Sequence, residues 1–363
     1  MRRFLIRDRR QFRLKMSSLF PFVWHPKGAV AALEKLAPAD GVVQQSDVTK
    51  AVSGGAAGAH PLMVTALAGG KIIGDLRLAA TGGDVVIGDI QSVFGVENLE
   101  AHHSLRRRRF RLPKYREGTA LLLGAANSDN YYHWLVDSLP RWKMLQAAGW
   151  REYDHVLLHS RPCEFQDETL DWLGVPPERR LRCSKQWVHQ FERLVVPAMP
   201  FARKTVPTWV APWLRSLRPA PAGGPEKVYL SRRGVPGRKV ANEPELLAAL
   251  EPLGFTVVEP EKLSVAEQAR CLGAARWIVG PHGGALANMV FAPPGACVLE
   301  FFHPQHKNRC YENLAAASGH RYANLDGEAT EHSREGRLEY RIGVTAVLAG
   351  LEGMGLAPHP ACC

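Results

Sequence analysis

Three polar residues at helical spacing are the first sign of chemistry in this chain. His133, Asp137 and Arg141 fall at i, i+4 and i+8, and so share nearly one face of a helix. A histidine and a carboxylate within reach of one another suit proton abstraction, because each tunes the pKa of the other. Asp137 is the expected base, with His133 orienting it or acting as the base itself. Pro140 must kink or restart the helix, which lets Arg141 diverge from that line. On an amphipathic helix the same pattern is commonly a solvated ion pair. Here Tyr131, Tyr132, Trp134 and Trp142 flank the polar residues, and an aromatic cluster with embedded His and Asp suits a sugar better than a solvated face. Asn130, Tyr132, Trp134 and Arg141 are expected to line an acceptor site or cleft.

A second constellation lies in the C-terminal half. The run Trp277-Ile278-Val279-Gly280-Pro281-His282-Gly283-Gly284-Ala285-Leu286-Ala287-Asn288-Met289 reads as a buried strand, a tight loop and a helix start. Unpaired N–H groups and the partial positive charge of a helix N-terminus bind phosphate, and His282 adds a further donor. The plainer alternative is a βα turn whose glycines only permit close packing. Beyond the strand Val228–Leu230 comes Ser231-Arg232-Arg233-Gly234-Val235-Pro236-Gly237-Arg238-Lys239, whose guanidiniums on a Gly/Pro-shaped loop can grip a diphosphate. Glu300 ends the strand Cys297–Phe301 and could accept ribose hydroxyls, or be a capped, solvated carboxylate. His303, His306 and Asn308 have no recognisable metal-ligand spacing. No two aspartates lie two residues apart, and neither a Walker A sequence nor a G-x-G-x-x-G after a strand occurs. No metal is therefore expected, and arginines would balance the charge that a divalent ion balances elsewhere.

The elements that must position these groups change in texture along the chain. From about Ala29 to Leu112, short alternating runs (Leu62–Ala66, Lys71–Leu78, Asp84–Ile90) separated by Gly pairs read as strands and hairpins. From Thr119 the pattern is α/β: strand Thr119–Leu123, helix Tyr131–Ala148, strand Asp154–Leu158, helix Glu164–Leu173, strand Leu194–Val196. The proline-punctuated stretch from Pro197 to Pro225 reads as a connection. Beyond it strands and helices alternate: strand Val228–Leu230, helix Glu243–Leu250, strand Thr256–Val258, helix Val265–Ala274, strand Trp277–Val279, helix Ala285–Val290, strand Cys297–Phe301, helix Arg309–Ala317. That alternation implies βαβ units and a parallel sheet, with ligands at the carboxyl ends of strands. Ser264 and Glu267 form the signature of a capping box.

Composition narrows the class. Hydrophobic content of 46% and charged content of 22% are ordinary for a globular protein, and no apolar run reaches transmembrane length. The formal charge of +11 favours anionic partners without choosing among them. Seven cysteines without a C-x-x-C pair imply neither a zinc site nor a disulfide framework, so reduced thiols in a cytoplasm are expected. Adjacent Cys362 and Cys363 form no prenylation box. The basic start Met1–Arg10 lacks the apolar segment of a secretory signal. It reads as an anchor for anionic membrane, or as sequence upstream of a true start at Met16.

Three segments together resemble glycosyltransferase family 61 in order and spacing. They are Asn130-Tyr131-Tyr132-His133-Trp134-Leu135-x-Asp137-x-Leu139-Pro140-Arg141, then Tyr229–Arg233 with Arg238 and Asn242-Glu243, then Gly280–Asn288 with Phe291–Gly295. The resemblance spans roughly Thr119 to Tyr322, and Gly283-Gly284 departs mildly from the Gly-Ala of many relatives. It implies an α/β, GT-B-like fold, with two Rossmann-like domains facing a cleft and a β-rich N-terminal preface. The expected order is a basic arm (1–28), the preface packed on the N-terminal domain (29–118), an N-terminal acceptor domain (119–205) and a Pro-rich linker (206–225). A C-terminal nucleotide-sugar domain (226–335) and a C-terminal helix and tail (336–363) follow. The implied activity is inverting, metal-independent transfer from a nucleotide-sugar to a glycan or lipid-linked glycan, in surface or capsular polysaccharide assembly. Arg232, Arg238, His282, Gly283, Gly284, Asn288 and Glu300 would hold the donor. A cytoplasmic protein, peripheral at the inner face of the membrane and without nucleic-acid partners, is expected. The competing class is a non-catalytic polyanion- or nucleic-acid-binding protein using the net charge, but the arginines punctuate separate loops instead of forming a stripe. An inactive scaffold is the third reading, opposed by the joint presence of His133, Asp137, Arg232, Arg238 and His282.

Overall fold

The computed structural model describes residues 30–54, 61–74, 76, 78–88, 113–184, 187–200, 205–217, 223–331, 333 and 338–357. The basic arm 1–28, the Arg106–Arg109 run and the Cys362-Cys363 pair lie outside the described residues. The chain divides into two compact units, one within Met1–Gln166 and Gly174–Pro200, the other within Asp167–Leu173 and Phe201–Cys363. Among the described residues no helix is long and apolar enough to cross a membrane.

The first unit is built on a ten-stranded mixed sheet. Its strands are β1 (Val30–Ala31), β2 (Val42–Asp47), β3 (Met63–Ala68), β4 (Lys71–Ile73), β5 (Leu78–Ala80), β6 (Val86–Ile87), β7 (Lys114–Leu122), β8 (His155–His159), β9 (Arg180–Cys183) and β10 (Val188–Pro197). The path is β1-β6-β5-β4-β10-β7-β8-β9, with β3 paired to β10 and β2 to β3. β10, β7, β8 and β9 run parallel. Their apolar residues, among them Leu121, Val156, Leu157, Phe191, Leu194 and Val195, are buried without alternation, as a sheet covered on both faces requires. The preface was expected to pack on this domain. Its strands hydrogen-bond into the same sheet, where β10 pairs antiparallel with β3 and β4.

The second unit has a five-stranded sheet of β11 (Lys227–Leu230), β13 (Thr256–Val258), β14 (Trp277–Pro281), β15 (Cys297–Phe302) and β16 (Arg321–Asp326). A small separate sheet pairs β12 (Lys239–Val240), β18 (Glu339–Arg341) and β17 (Glu328–Ala329). The large sheet runs β13-β11-β14-β15-β16, all parallel. Counted along the chain that is the order 2-1-3-4-5 of a doubly wound α/β fold, whose ligand crevice opens where the winding reverses. Here the reversal lies between β11 and β14. Tyr229, Val279, Leu299 and Phe301 form the core with Leu246, Tyr340, Val347 and Leu351.

The expected capping box is present at helix Val265–Leu272: Ser264 Oγ accepts from Glu267 N at 3.2 Å, and Glu267 Oε2 accepts from Ser264 N at 2.8 Å. The stretch 206–225, read as a connection, carries an α-helix over Val210–Leu217 that buries Val210, Ala211 and Leu214. Pro212 is tolerated there because it falls in the first turn, where a missing N–H leaves no bond unmade.

Candidate active site

In the first unit β7 delivers the chain to a loop held by Ser128. Its hydroxyl accepts from Ala125 N at 2.5 Å and lies 2.8 Å from Ser138 Oγ, while Gln166 Nε2 donates to the Ser128 carbonyl at 2.6 Å. Asn130 Oδ1 accepts from Tyr132 N at 3.0 Å and starts the helix that follows. That helix is not regular. Over His133–Ser138 it widens to a π-turn, with Leu139 N donating to Trp134 O at 2.8 Å, and an α-helix restarts over Arg141–Ala147. Pro140 breaks the α-helical ladder here, since it has no N–H to return to the preceding turn.

The π-turn joins His133 to Asp137, with Nδ1 and Oδ2 2.6 Å apart. The Asp137 side chain is 5% exposed and that of His133 17%, so the carboxylate is the interior member of the pair. Burial pushes the Asp137 pKa up, and the His133 hydrogen bond, the His133 charge and the Arg141 charge oppose the rise. Arg141 is wholly buried, donates from Nη1 to Gly124 O at 2.9 Å, and is held by desolvation down to about 10. Arg141 and Trp134, expected at an acceptor site or cleft, are interior groups with no exposed surface, and the Arg141 charge acts on Asp137 from inside the unit. Asn130 is exposed, and Tyr132 is half-buried with its ring edge-on to His133 at 5.4 Å.

In the second unit two loops meet at the reversal of the sheet. The loop after β11 carries Arg232 and Arg238; the loop after β14 carries His282, Gly283 and Gly284. The Arg232 guanidinium packs against the Gly283 backbone, where a Cβ would overlap Nη1. Its Nε is buried with no hydrogen-bond partner, and Nη2 reaches only Pro236 O at 3.5 Å and Gly237 O at 3.4 Å. Desolvation lowers its pKa first and the nearby Arg238 charge second. Arg238 adopts a left-handed conformation, φ 54°, and donates from Nη1 to His306 Nε2 at 3.0 Å. Among the described residues neither arginine has a carboxylate within ion-pair distance. Arg233 differs: it is paired with Glu259 at 2.8 Å.

His282 continues the β14 ladder through its N–H to Phe301 O at 2.8 Å. Its Nδ1 meets Glu300 Oε1. Glu300 has no exposed surface, and its other oxygen accepts from Tyr322 OH at 2.5 Å. Both carboxylate oxygens are thus engaged inside the protein. Glu300 was read as a ribose acceptor; the geometry makes it the partner that orients His282. The chain after Gly283 forms a 3₁₀ helix, Gly284–Phe291, in place of the expected α-helix. It is tied down by Asn288 Nδ2, which donates to Gln268 Oε1 at 2.7 Å. Among the described residues no group of three or more His, Cys, Asp or Glu side chains gathers that could hold a metal ion.

Residues 131–299 match the family model Glycosyltransferase 61. This stretch is a glycosyltransferase 61 domain. The chain is also similar to an EGF domain-specific O-linked N-acetylglucosamine transferase of Drosophila melanogaster, 37% identical over 97 residues, which is 26% of this chain and 18% of that protein. A similar stretch of a protein O-linked-mannose beta-1,4-N-acetylglucosaminyltransferase 2 of Tetraodon nigroviridis is 35% identical over 107 residues, 27% of this chain and 18% of that protein. The chain thus matches about a fifth of the length of these relatives.

Sequence reasoning passed over several residues at these two sites. His306 was set aside for lack of metal spacing, yet it touches the loop after β11 through Arg238 and the loop after β14 through His282. Tyr322 lies beyond the domain on β16, two residues before the Glu300 partner Asn324 and so on the same sheet face as Glu300. Only knowledge of which strands are neighbours could have joined them. Ser128 and Gln166 carried no signal beyond being polar.

Proposed function

We propose that the chain is an inverting, metal-independent glycosyltransferase that moves a sugar from a nucleotide-sugar to a glycan or lipid-linked glycan, in surface or capsular polysaccharide assembly at the cytoplasmic face of the membrane. The GT-B reading of the fold belongs to this proposal. One observation carries it: Arg232 and Arg238, two neighbouring guanidiniums without carboxylate partners among the described residues, stand at the winding reversal of a parallel sheet, where ligands of such folds bind. A diphosphate leaving group would satisfy both, with His282 and the N–H groups of Gly283 and Gly284 beside them.

The reaction needs one base. The acceptor hydroxyl loses its proton to His133 as its oxygen bonds to the anomeric carbon. The bond from that carbon to the diphosphate breaks, and its electron pair leaves on the phosphate oxygen. Asp137 receives the Nδ1–H of His133, fixes the tautomer that leaves Nε2 basic, and stabilises the imidazolium that forms. Of the two orderings the sequence allowed, the greater accessibility of His133 favours it as the base. Arginines in place of paired aspartates support charge balance without a divalent ion. Both named relatives transfer N-acetylglucosamine, which puts that sugar first among donors to be tried.

Thermal-shift measurements against nucleotide-sugars and free nucleoside diphosphates test the reading, because a ligand of the native state raises the midpoint by mass action. One nucleoside diphosphate and its sugar conjugate should both stabilise the protein. Transfer from that donor should persist in excess EDTA and not rise with magnesium or manganese. A panel with no stabilising member, or activity that EDTA abolishes and one ion restores, would overturn it.

A further inference from the structure

The turn after β15 belongs to none of the groups so far given a role. His303 anchors it: the ring is buried, Nε2 lies 2.9 Å from Ser333 Oγ, and Nδ1 accepts from Gln305 N at 3.1 Å. His306 N then donates to His303 O at 2.9 Å, closing a tight turn that presents the His306 ring. That ring has two neighbours. Its Nε2 is 3.0 Å from Arg238 Nη1, and its face is edge-on to His282 with centroids 5.1 Å apart. A guanidinium can only donate, so Nε2 is the acceptor and carries no proton.

We propose that His306 is a positioning residue of the diphosphate site, accepting the Arg238 guanidinium and fixing the loop after β11 against the loop after β14. This rests on the phosphate reading given above. The chemical reason for an imidazole is specific. Arg232 and Arg238 repel one another, and Arg238 is held in a left-handed conformation that an L-residue with a long side chain adopts only under strain. Something must hold it. A carboxylate would do so strongly but would cancel the positive charge that the phosphate needs. A neutral ring nitrogen satisfies the N–H and leaves the full charge of Arg238 available to the ligand. The cationic surroundings agree with a neutral ring, since burial and then the Arg238, His282, His303 and Arg232 charges all hold the His306 pKa below its usual value.

The test uses the full chain, inorganic pyrophosphate as probe and calorimetric Kd, with thermal midpoints as the folding control. His306→Ala should raise Kd about 5- to 20-fold, the loss of one well-oriented charge-assisted contact. His306→Gln, which keeps a neutral acceptor at similar reach, should stay within about 3-fold of wild type. His306→Glu should bind pyrophosphate more weakly than His306→Ala, although it would hold Arg238 better. In an Arg238→Ala background, His306→Ala should change Kd by less than about 2-fold, because its effect runs through Arg238. The inference is overturned if Gln fails to rescue at an unchanged midpoint, if Glu matches wild type, or if His306→Ala has its full effect without Arg238. Weakening by Arg238→Ala with none from His306→Ala rejects the inference and leaves the phosphate reading standing. Wild type that binds no pyrophosphate removes both.

Discussion

Replacing Arg232 by Met separates the two things a half-buried guanidinium can do. Met keeps the apolar stem and removes the charge and the donors. The structural loss is small: two hydrogen bonds at 3.4 and 3.5 Å sit at the edge of useful geometry, and Nε has no partner to lose. Against that loss of about 0.5–1 kcal/mol stands relief of an unsatisfied buried donor, about 1–3 kcal/mol. The ligand-free variant should therefore be as stable as wild type or up to about 2 kcal/mol more so. In a domain of this size that is a Tm unchanged or raised by up to about 8 °C. Binding should move the other way. One lost charge-assisted contact to phosphate is about 1.5–3 kcal/mol, so Kd for pyrophosphate should rise about 10- to 150-fold. Scanning calorimetry and titration calorimetry on the same sample read both signs. A Tm several degrees lower together with an unchanged Kd would falsify the assignment and make Arg232 a structural residue.

Asp137→Asn keeps the shape of the π-turn but offers His133 the wrong partner, so kcat should fall about 10²–10⁴-fold with a native circular dichroism spectrum; near-normal turnover would remove Asp137 from the mechanism. Because burial raises the folded-state pKa of Asp137, the native state binds more protons than the unfolded chain just above pH 3.8, and stability contributed there falls as pH rises. The Asn variant should lose that slope in urea titrations run across the window. His189 acts oppositely: burial first, then the Arg116 and Lys114 charges, hold it down to about 4 from 6.5. Its stability is complete above pH 6.5 and is lost as pH falls towards 4, about 3 kcal/mol in all, so urea midpoints of His189→Gln should be flatter between pH 7 and 4.5. Gly283→Ala puts a Cβ into the space of Arg232 Nη1 and should weaken pyrophosphate binding while sparing the fold, as midpoints and Kd together would reveal.

The sequence made the second unit legible because its apolar runs and caps agree with each other. Helix Glu243–Leu250 and strand Thr256–Val258 appear at the residues expected, and the loops beyond β11 and β14 carry the expected arginines, histidine and glycines. What periodicity cannot give is depth. Trp134 and Arg141 read as cleft residues because aromatics and arginines often line sugar sites, yet both are interior. Glu300 read as a ligand-facing acid because it ends a strand, and only the neighbouring β14 and β16 supply the partners that occupy it. Pro140 correctly signalled a break, but not that the break would widen into a π-turn. The helix Val210–Leu217 was hidden by the prolines around it.

The parallel order of the second sheet also fixes when its cationic site comes into being. Arg232, His282, Glu300, His306 and Tyr322 are far apart along the chain and meet only when β11, β14, β15 and β16 have paired through their crossover helices. Such long-range pairings form late and slowly, because loop closure precedes the contacts that reward it. A chain arrested before β15 docks has every charged residue and no site. Pyrophosphate in a refolding experiment should therefore leave the folding rate nearly unchanged and slow unfolding instead, acting as a latch on the finished sheet and not as a template for it.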